Sequence, residues 1–133
     1  IDAEVEAALA AWKGPRTLFL PPEPDAASIA AAAQQASGAK HIVLLATNAG
    51  KYDSQRRLAE ALAAAAPDRL VLIAAQSPYD LGVLPTAPVR IATYGEAPAS
   101  LDALARALFK PFDFSGRCPA ELAPGHGPEA TRP

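Results

Sequence analysis

The chain has 133 residues, half of them apolar and a fifth charged, which is the balance of one ordinary soluble domain. Its formal net charge of -2 provides no basic excess to neutralise phosphates, so nucleic acid and anionic membrane are poor candidates for partners. No apolar run approaches the roughly 20 residues that span a bilayer.

Cysteine and histidine usage restricts the chemistry further. Cys118 is the single cysteine, which rules out an internal disulfide and slightly favours a reducing compartment such as the cytoplasm. The two histidines and the cysteine lie far apart in sequence and have no metal-ligand spacing, so we expect neither a metal nor a cofactor. The chain starts at Ile1 without a signal-peptide pattern and has the character of a fragment of a longer chain.

Helical and strand patterns alternate along the chain. Helices are predicted where apolar residues recur at helical spacing, over residues 2–13, 26–37, 52–66 and 101–108, with Asp25 as N-cap of the second. Short apolar runs without polar alternation predict strands that are covered on both faces, over residues 17–20, 42–46, 70–75 and 89–93. One more edge strand is predicted around residues 118–122, and the Pro- and Gly-rich residues 123–133 are expected to form a loose tail.

This alternation predicts an α/β fold for residues 1–122 as a single domain. Strands joined by helical crossovers must run parallel, because a tight turn can only return the chain antiparallel. The expected architecture is a three-layer αβα sandwich with a mainly parallel open sheet, flavodoxin-like in arrangement.

The carboxyl ends of the predicted strands are where a ligand would bind in such a fold. Polar and aromatic residues concentrate there, in the segments 21–23, 47–49, 76–80 and 94–96. The competing interpretation is that these are ordinary turn residues, since Asn, Gly, Pro and Asp build loops for local reasons.

Known catalytic motifs are absent at these ends. The sequence has no G-x-G-x-x-G, no G-x-x-x-x-G-K-[ST] and no G-x-S-x-G. Ser77, Asp80 and a histidine could be drawn as a catalytic triad, but the predicted geometry argues against it. His41 starts a strand and therefore lies at the edge of the sheet opposite Ser77. Glu23, Asp80 and Glu96 share the carboxyl edge, but nothing in their spacing requires them to pair for glycoside chemistry.

A family resemblance begins at the segment Gln76-Ser77-Pro78-Tyr79-Asp80-Leu81. It continues, in order and with matching spacing, through Leu84-Pro85, Ala92-Thr93-Tyr94-Gly95, Pro98-Ala99-Ser100-Leu101 and Gly116-Arg117-Cys118-Pro119, with Thr47-Asn48-Ala49 and Gln55-Arg56 upstream. In this pattern the chain, from about residue 41 to 122, resembles the C-terminal α/β sandwich domain of family 3 glycoside hydrolases, in the β-N-acetylhexosaminidase-like branch.

The resemblance implies that the chemistry lies elsewhere in the parent protein. In that family an N-terminal TIM barrel carries the catalytic aspartate, and in the hexosaminidase branch also a histidine acid/base. The β-glucosidase branch places a glutamate acid/base on the second domain, but no acidic loop matches it before the helix at residues 52–66. No residue of this chain is therefore assigned a catalytic role.

The sequence departs from the family pattern at two positions. Gln76 stands where the family often has arginine, and Cys118 replaces a common leucine. The segment 124–127 resembles part of a barrel motif of the hexosaminidases, but it lacks the preceding context, and His126 is interpreted as a tail residue.

The resemblance implies an accessory domain of an enzyme that hydrolyses β-linked N-acetylhexosaminides or β-glucosides. Its partner would be the catalytic barrel of the same chain, and carbohydrate would be contacted only indirectly. The candidate residues for contact with the barrel or cleft are Asn48, Tyr79, Asp80 and Tyr94. The plainer alternative is that Tyr79 packs under its own turn and Asp80 caps a short helix.

Two other functions stay open at the level of sequence. The first is a stand-alone flavodoxin-like domain that binds a ligand or recognises a partner. The second is an independent hydrolase that uses Ser77 and Asp80. A small ligand at the strand ends would favour the first, and an activity abolished by Ser77→Ala would favour the second.

Overall fold

The computed structural model describes residues 17–109. In chain order its helices are α1 (Ala26–Ser37), α2 (Asp53–Ala65) and α3 (Pro98–Phe109), and its strands are β1 (Ile42–Ala46), β2 (Leu70–Ala74) and β3 (Val89–Ala92). A 3₁₀ segment, Pro78–Val83, lies between β2 and β3. The sequence predictions for residues 2–13, 118–122 and 123–133, including Cys118 and His126, fall outside the described residues.

The described strands form one parallel sheet in the order β1-β2-β3. Ile42 pairs with Leu70 at one end of the β1-β2 ladder, and Ala46 pairs with Ala74 at the other. Helix α2 makes the crossover from β1 to β2, as the alternating pattern predicted. The predicted α/β fold with a parallel open sheet is thus confirmed, while the crossover from β2 to β3 uses the 3₁₀ segment in place of an α-helix.

Helix α1 begins where its capping residue predicts. The Asp25 carboxylate accepts a hydrogen bond of 2.7 Å from the Ser28 backbone N–H, which satisfies one of the free donors of the first turn. Gly38 follows the last helical residue, and the N–H of the next residue, Ala39, donates to the Ala36 carbonyl at 3.0 Å. The prediction of Asp25 as N-cap is confirmed.

Replacing Asp25 by asparagine is expected to change how stability depends on pH. Hydrogen bonds from the Ser28 side chain and backbone hold the pKa of Asp25 below its ordinary value of 3.8. Because the folded-state pKa is the lower one, this stabilisation is present above the unfolded pKa and is lost as pH falls through the folded pKa. Asparagine keeps the cap without titrating. Urea unfolding of both proteins from neutral pH to below about pH 3 should show the wild-type advantage shrinking with acid, and a difference independent of pH would contradict this.

Most of the core lies on one face of the sheet. Leu70, Leu72 and Ala74 alternate on the central strand and face the helices α1 and α2. The other buried members of this cluster come from the helices, the strand ends and the 3₁₀ region: Ala32, Ala36, Ala46, Ala49, Leu58, Ala59, Leu62, Leu81, Val83, Leu84 and Ala87. The many alanines bring the helices close to the sheet.

The opposite face of the sheet is covered unevenly. Ile73 of the central strand is fully buried, but Val43 of β1 and Val89 of β3 are 41% and 46% exposed. The prediction of strands covered on both faces therefore holds for β2 and is wrong at these two edge-strand positions.

The predicted strand at residues 17–20 is absent from the structure. Leu18 and Phe19 are exposed, and Leu20 packs against the main core cluster. The apolar run is short and continues into Pro21-Pro22, which lacks the N–H groups that a sheet ladder needs. Apolar composition alone over-predicted a strand here. None of the helices within residues 17–109 has the length and hydropathy of a membrane span.

Candidate functional site

The ends of the three strands bring one group of polar residues together. Because the strands are parallel, the segments that follow β1, β2 and β3 all lie at the carboxyl edge of the sheet. Hydrogen bonds link Asn48, Gln76, Asp80 and Glu96 across this edge. The edge that the sequence singled out is therefore a connected structure, formed by residues far apart in the chain.

Asp80 is the central residue of this edge. Its carboxylate accepts hydrogen bonds from three consecutive backbone N–H groups: Asn48 at 2.9 Å, Ala49 at 2.8 Å and Gly50 at 3.4 Å. Asp80 is 3% exposed and is the only buried charged side chain among residues 17–109. Since a buried carboxylate is costly without partners, these three bonds are what allows it to stay inside.

The backbone of the β1-α2 loop is shaped to meet this carboxylate. Asn48 has φ 55°, in the left-handed region that asparagine tolerates better than most residues. The turn is closed by the Lys51 N–H, which donates to the Asn48 carbonyl at 3.0 Å. A left-handed residue in such a turn directs successive N–H groups toward one point, which forms an anion-binding concavity.

The 3₁₀ segment holds Asp80 in place. The Ser77 hydroxyl oxygen accepts from the Tyr79 N–H at 3.4 Å, and Pro78 occupies the first position, where no N–H is needed. Leu81 is fully buried and Val83 is 9% exposed, so both anchor the segment in the core. The alternative that Asp80 caps a short helix is wrong. Ser77 is the cap, and the Asp80 carboxylate reaches the loop after β1.

A row of side chains crosses the sheet edge beside Asp80. The Asn48 side-chain NH₂ donates to the side-chain oxygen of Gln76 at 3.2 Å. The Gln76 side-chain NH₂ in turn donates to the Glu96 carboxylate at 3.0 Å. The Thr47 hydroxyl donates to the other oxygen of Glu96 at 3.2 Å. Gln76 thus acts as acceptor and donor in the same row. An arginine at this position would pair with Glu96 but would have no acceptor for Asn48.

Two residues that the sequence did not indicate as contact residues support this row. The Gln55 amide, in the first turn of α2, donates to the Thr47 carbonyl at 2.9 Å and to the Pro22 carbonyl at 3.0 Å. The Thr93 hydroxyl lies 3.1 Å from the Ala75 carbonyl and 3.0 Å from the Gly95 carbonyl. The available signal for Thr93 was its position directly after β3, and for Gln55 its position in the first turn of the helix that follows β1. Spacing alone does not tell which carbonyl either side chain would reach.

Two tyrosines lie on the solvent side of this edge. Tyr79, in the 3₁₀ segment, is 63% exposed, and Tyr94, after β3, is 51% exposed. Tyr94 has φ 59°, an unusual conformation for an aromatic residue. Of the four predicted contact residues, Asn48, Tyr79 and Tyr94 are therefore accessible, whereas Asp80 is enclosed.

Within the described residues, neither a triad built on Ser77 and His41 nor a three-ligand metal cluster is assembled. His41 precedes β1 and Ser77 follows β2, so the parallel sheet places them at opposite edges, as predicted from the sequence. No three His, Cys, Asp or Glu side chains within residues 17–109 lie close enough to hold a metal ion. A shallow hollow of about 170 Å³ lies at the amino edge, between Ala66, Leu70 and Pro88, away from the polar row.

Fold and site together define an α/β domain with a parallel open sheet. The loop that follows β1 binds the carboxylate of Asp80 from the same chain. Comparison with known protein families, curated proteins and solved structures finds no match to this chain.

Proposed function

We propose that this chain is a non-catalytic accessory domain of a glycoside hydrolase that acts on β-linked N-acetylhexosaminides or β-glucosides. The proposal rests on the resemblance of the segments around Ser77–Leu81 and Ala92–Gly95 to the second domain of family 3 enzymes. The structural observation that supports it most is Asp80. The one acidic side chain fixed at the centre of the carboxyl edge is engaged with three backbone N–H groups and has no access to a substrate.

The carboxyl edge is the surface proposed to pack on the catalytic barrel. Tyr79 and Tyr94 present large exposed rings beside the polar row of Asn48, Gln76 and Glu96. Tyrosines of this kind are enriched in protein interfaces, where the ring supplies contact area and the hydroxyl a hydrogen bond. The row beside them is held by its own hydrogen bonds, so docking would order few further side chains.

The architecture proposed for this domain has three layers. Leu101 and Leu104 of α3 are 1% and 3% exposed, yet they are not part of the core cluster that faces α1 and α2. Ile73 is likewise fully buried and outside that cluster. These observations support the placement of α3 as the third layer, on the face of the sheet that carries Ile73.

A stand-alone binding domain is the alternative function. Its support is the parallel sheet itself, because ligands of such folds bind at the carboxyl ends of the strands. Crystals or NMR titrations that place a small molecule on Asn48 and Gln76 would favour this alternative over the accessory domain.

Activity of the chain alone tests the accessory role directly. The purified chain is expected to give no turnover of an aryl β-N-acetylglucosaminide above a protein-free blank. Within residues 17–109, Ser77 lies at the opposite edge of the sheet from His41, and the Asp80 carboxylate is enclosed. Asp80→Asn and Ser77→Ala variants serve as matched controls. Turnover by the wild-type chain that either substitution abolishes would overturn the proposal in favour of an independent hydrolase.

The docking surface is tested with the parent protein. The gene upstream of the codon for Ile1 is expected to encode a barrel-length segment, and that segment, expressed separately, should bind this chain. Tyr79→Ala and Tyr94→Ala should each weaken binding by roughly fivefold or more, as loss of an interface aromatic does. Val43→Ala, which removes an exposed apolar side chain away from this edge, is the control and should leave binding unchanged.

A further inference from the structure

The β1-α2 loop gathers three backbone donors on a single carboxylate. The N–H groups of residues 48, 49 and 50 all donate to Asp80, which lies 30 to 32 residues further along the chain. Consecutive N–H groups that converge after a parallel strand are a recurrent way of binding anions in α/β proteins. We infer that this loop is an anion-binding cradle whose ligand, a carboxylate, is supplied by the chain's own Asp80.

Within residues 17–109, backbone N–H groups are the hydrogen-bond partners that the structure shows for the Asp80 carboxylate. None of the salt bridges formed within residues 17–109 involves Asp80. Lys51, which follows the cradle directly, has its ammonium 5.2 Å from the ring centroid of Tyr52. Three oriented N–H dipoles favour an anion, because a neutral group would gain less from them.

The structure also defines which anion the cradle accepts. The two oxygens of Asp80 divide the three donors, with Asn48 on one and Ala49 and Gly50 on the other. The cradle therefore matches a carboxylate, and the Asp80 side chain that fills it is only 3% exposed. In the intact chain, formate, acetate and phosphate are excluded from this loop, whatever function the domain has.

The inference is tested by removing the internal ligand and adding a free one. Asp80→Ala deletes the carboxylate and leaves space of about the size of formate. Sodium formate is expected to raise the Tm of this variant by roughly 3–5 °C over sodium chloride of equal ionic strength, once it exceeds its dissociation constant several-fold. The backbone amide signals of residues 48–50 should shift with formate in the same concentration range.

Two proteins serve as controls for general salt effects. The wild type and Asp80→Asn both keep the cradle filled, so formate and chloride should change their Tm equally. If Asp80→Ala is unfolded in chloride, the same titration is followed as refolding by circular dichroism. The inference is overturned if formate and chloride act alike on Asp80→Ala, if the amide signals do not move, or if formate fails to refold an unfolded variant.

Discussion

Asp80→Ala is expected to lower the free energy of unfolding by about 3–5 kcal/mol, one of the two largest effects anticipated for a single substitution in this domain. The substitution leaves the N–H groups of Asn48, Ala49 and Gly50 without their acceptor. The Ala49 donor is buried and the other two are part-buried, so each lost acceptor costs about 1–3 kcal/mol, less what entering water recovers at the part-buried donors. The left-handed conformation of Asn48 also loses the contact that offsets its strain.

Two further variants show how much of this loss comes from the burial of the Asp80 side chain and how much from its charge. Asp80→Asn keeps one side-chain oxygen as acceptor for the backbone N–H groups and places an NH₂ group where the other oxygen was. It should therefore lower the free energy of unfolding by less than Asp80→Ala does. Glu96→Gln changes a half-buried carboxylate at the same edge and should cost at most about 1 kcal/mol. Equilibrium urea unfolding of the four proteins measures these differences. A loss for Asp80→Ala no larger than that for Glu96→Gln would contradict a structural role for Asp80.

The sequence predicted the regular elements well where physical signals agreed. Ile42–Ala46 combines apolar residues, β-branched residues and flanking polar segments, and the structure has a strand there with the same bounds. Asp25 and Gly38 mark both ends of α1, since capping residues act within a single turn. At residues 17–20 the apolar signal stood alone, and the structure has no strand there.

The 3₁₀ crossover was missed for a different reason. Pro78–Val83 carries two signals, a capping Ser77 and a proline at the first position, but it is too short to show helical periodicity. Its position is decided by the burial of Leu81 and by the bonds of Asp80 to a loop 30 to 32 residues earlier. Neither contact leaves a local trace in the sequence.

The same reasoning explains which features of the candidate site could be predicted from the sequence. Strand order and direction placed Asn48, Tyr79, Asp80 and Tyr94 at one edge, which follows from parallel topology alone. Which of them is exposed depends on the direction of each side chain within an irregular loop. Asp80 therefore emerged as the residue that holds the edge together, while Tyr79 and Tyr94 provide its accessible surface.

Ile73→Ala is expected to cost about 2–5 kcal/mol, because the substitution empties a fully buried site in the central strand. Val43→Ala, on the same face of the neighbouring β1, is the control. Val43 is 41% exposed, so its loss should cost under about 1 kcal/mol. Urea unfolding of both variants measures the difference, and equal costs would mean that the two positions are covered to the same extent.

A double-mutant cycle then identifies the element that covers Ile73. Leu101 of α3 is also fully buried and lies outside the cluster on the opposite face of the sheet. If α3 forms the third layer over Ile73, the costs of Ile73→Ala and Leu101→Ala should not add, with an interaction energy of at least about 0.5 kcal/mol. The pair Ile73→Ala and Leu62→Ala, which joins Ile73 to a residue of the other layer, should be nearly additive. Additivity in both pairs would place a different segment over Ile73, because residues that share a cavity or a contact couple and separated residues do not.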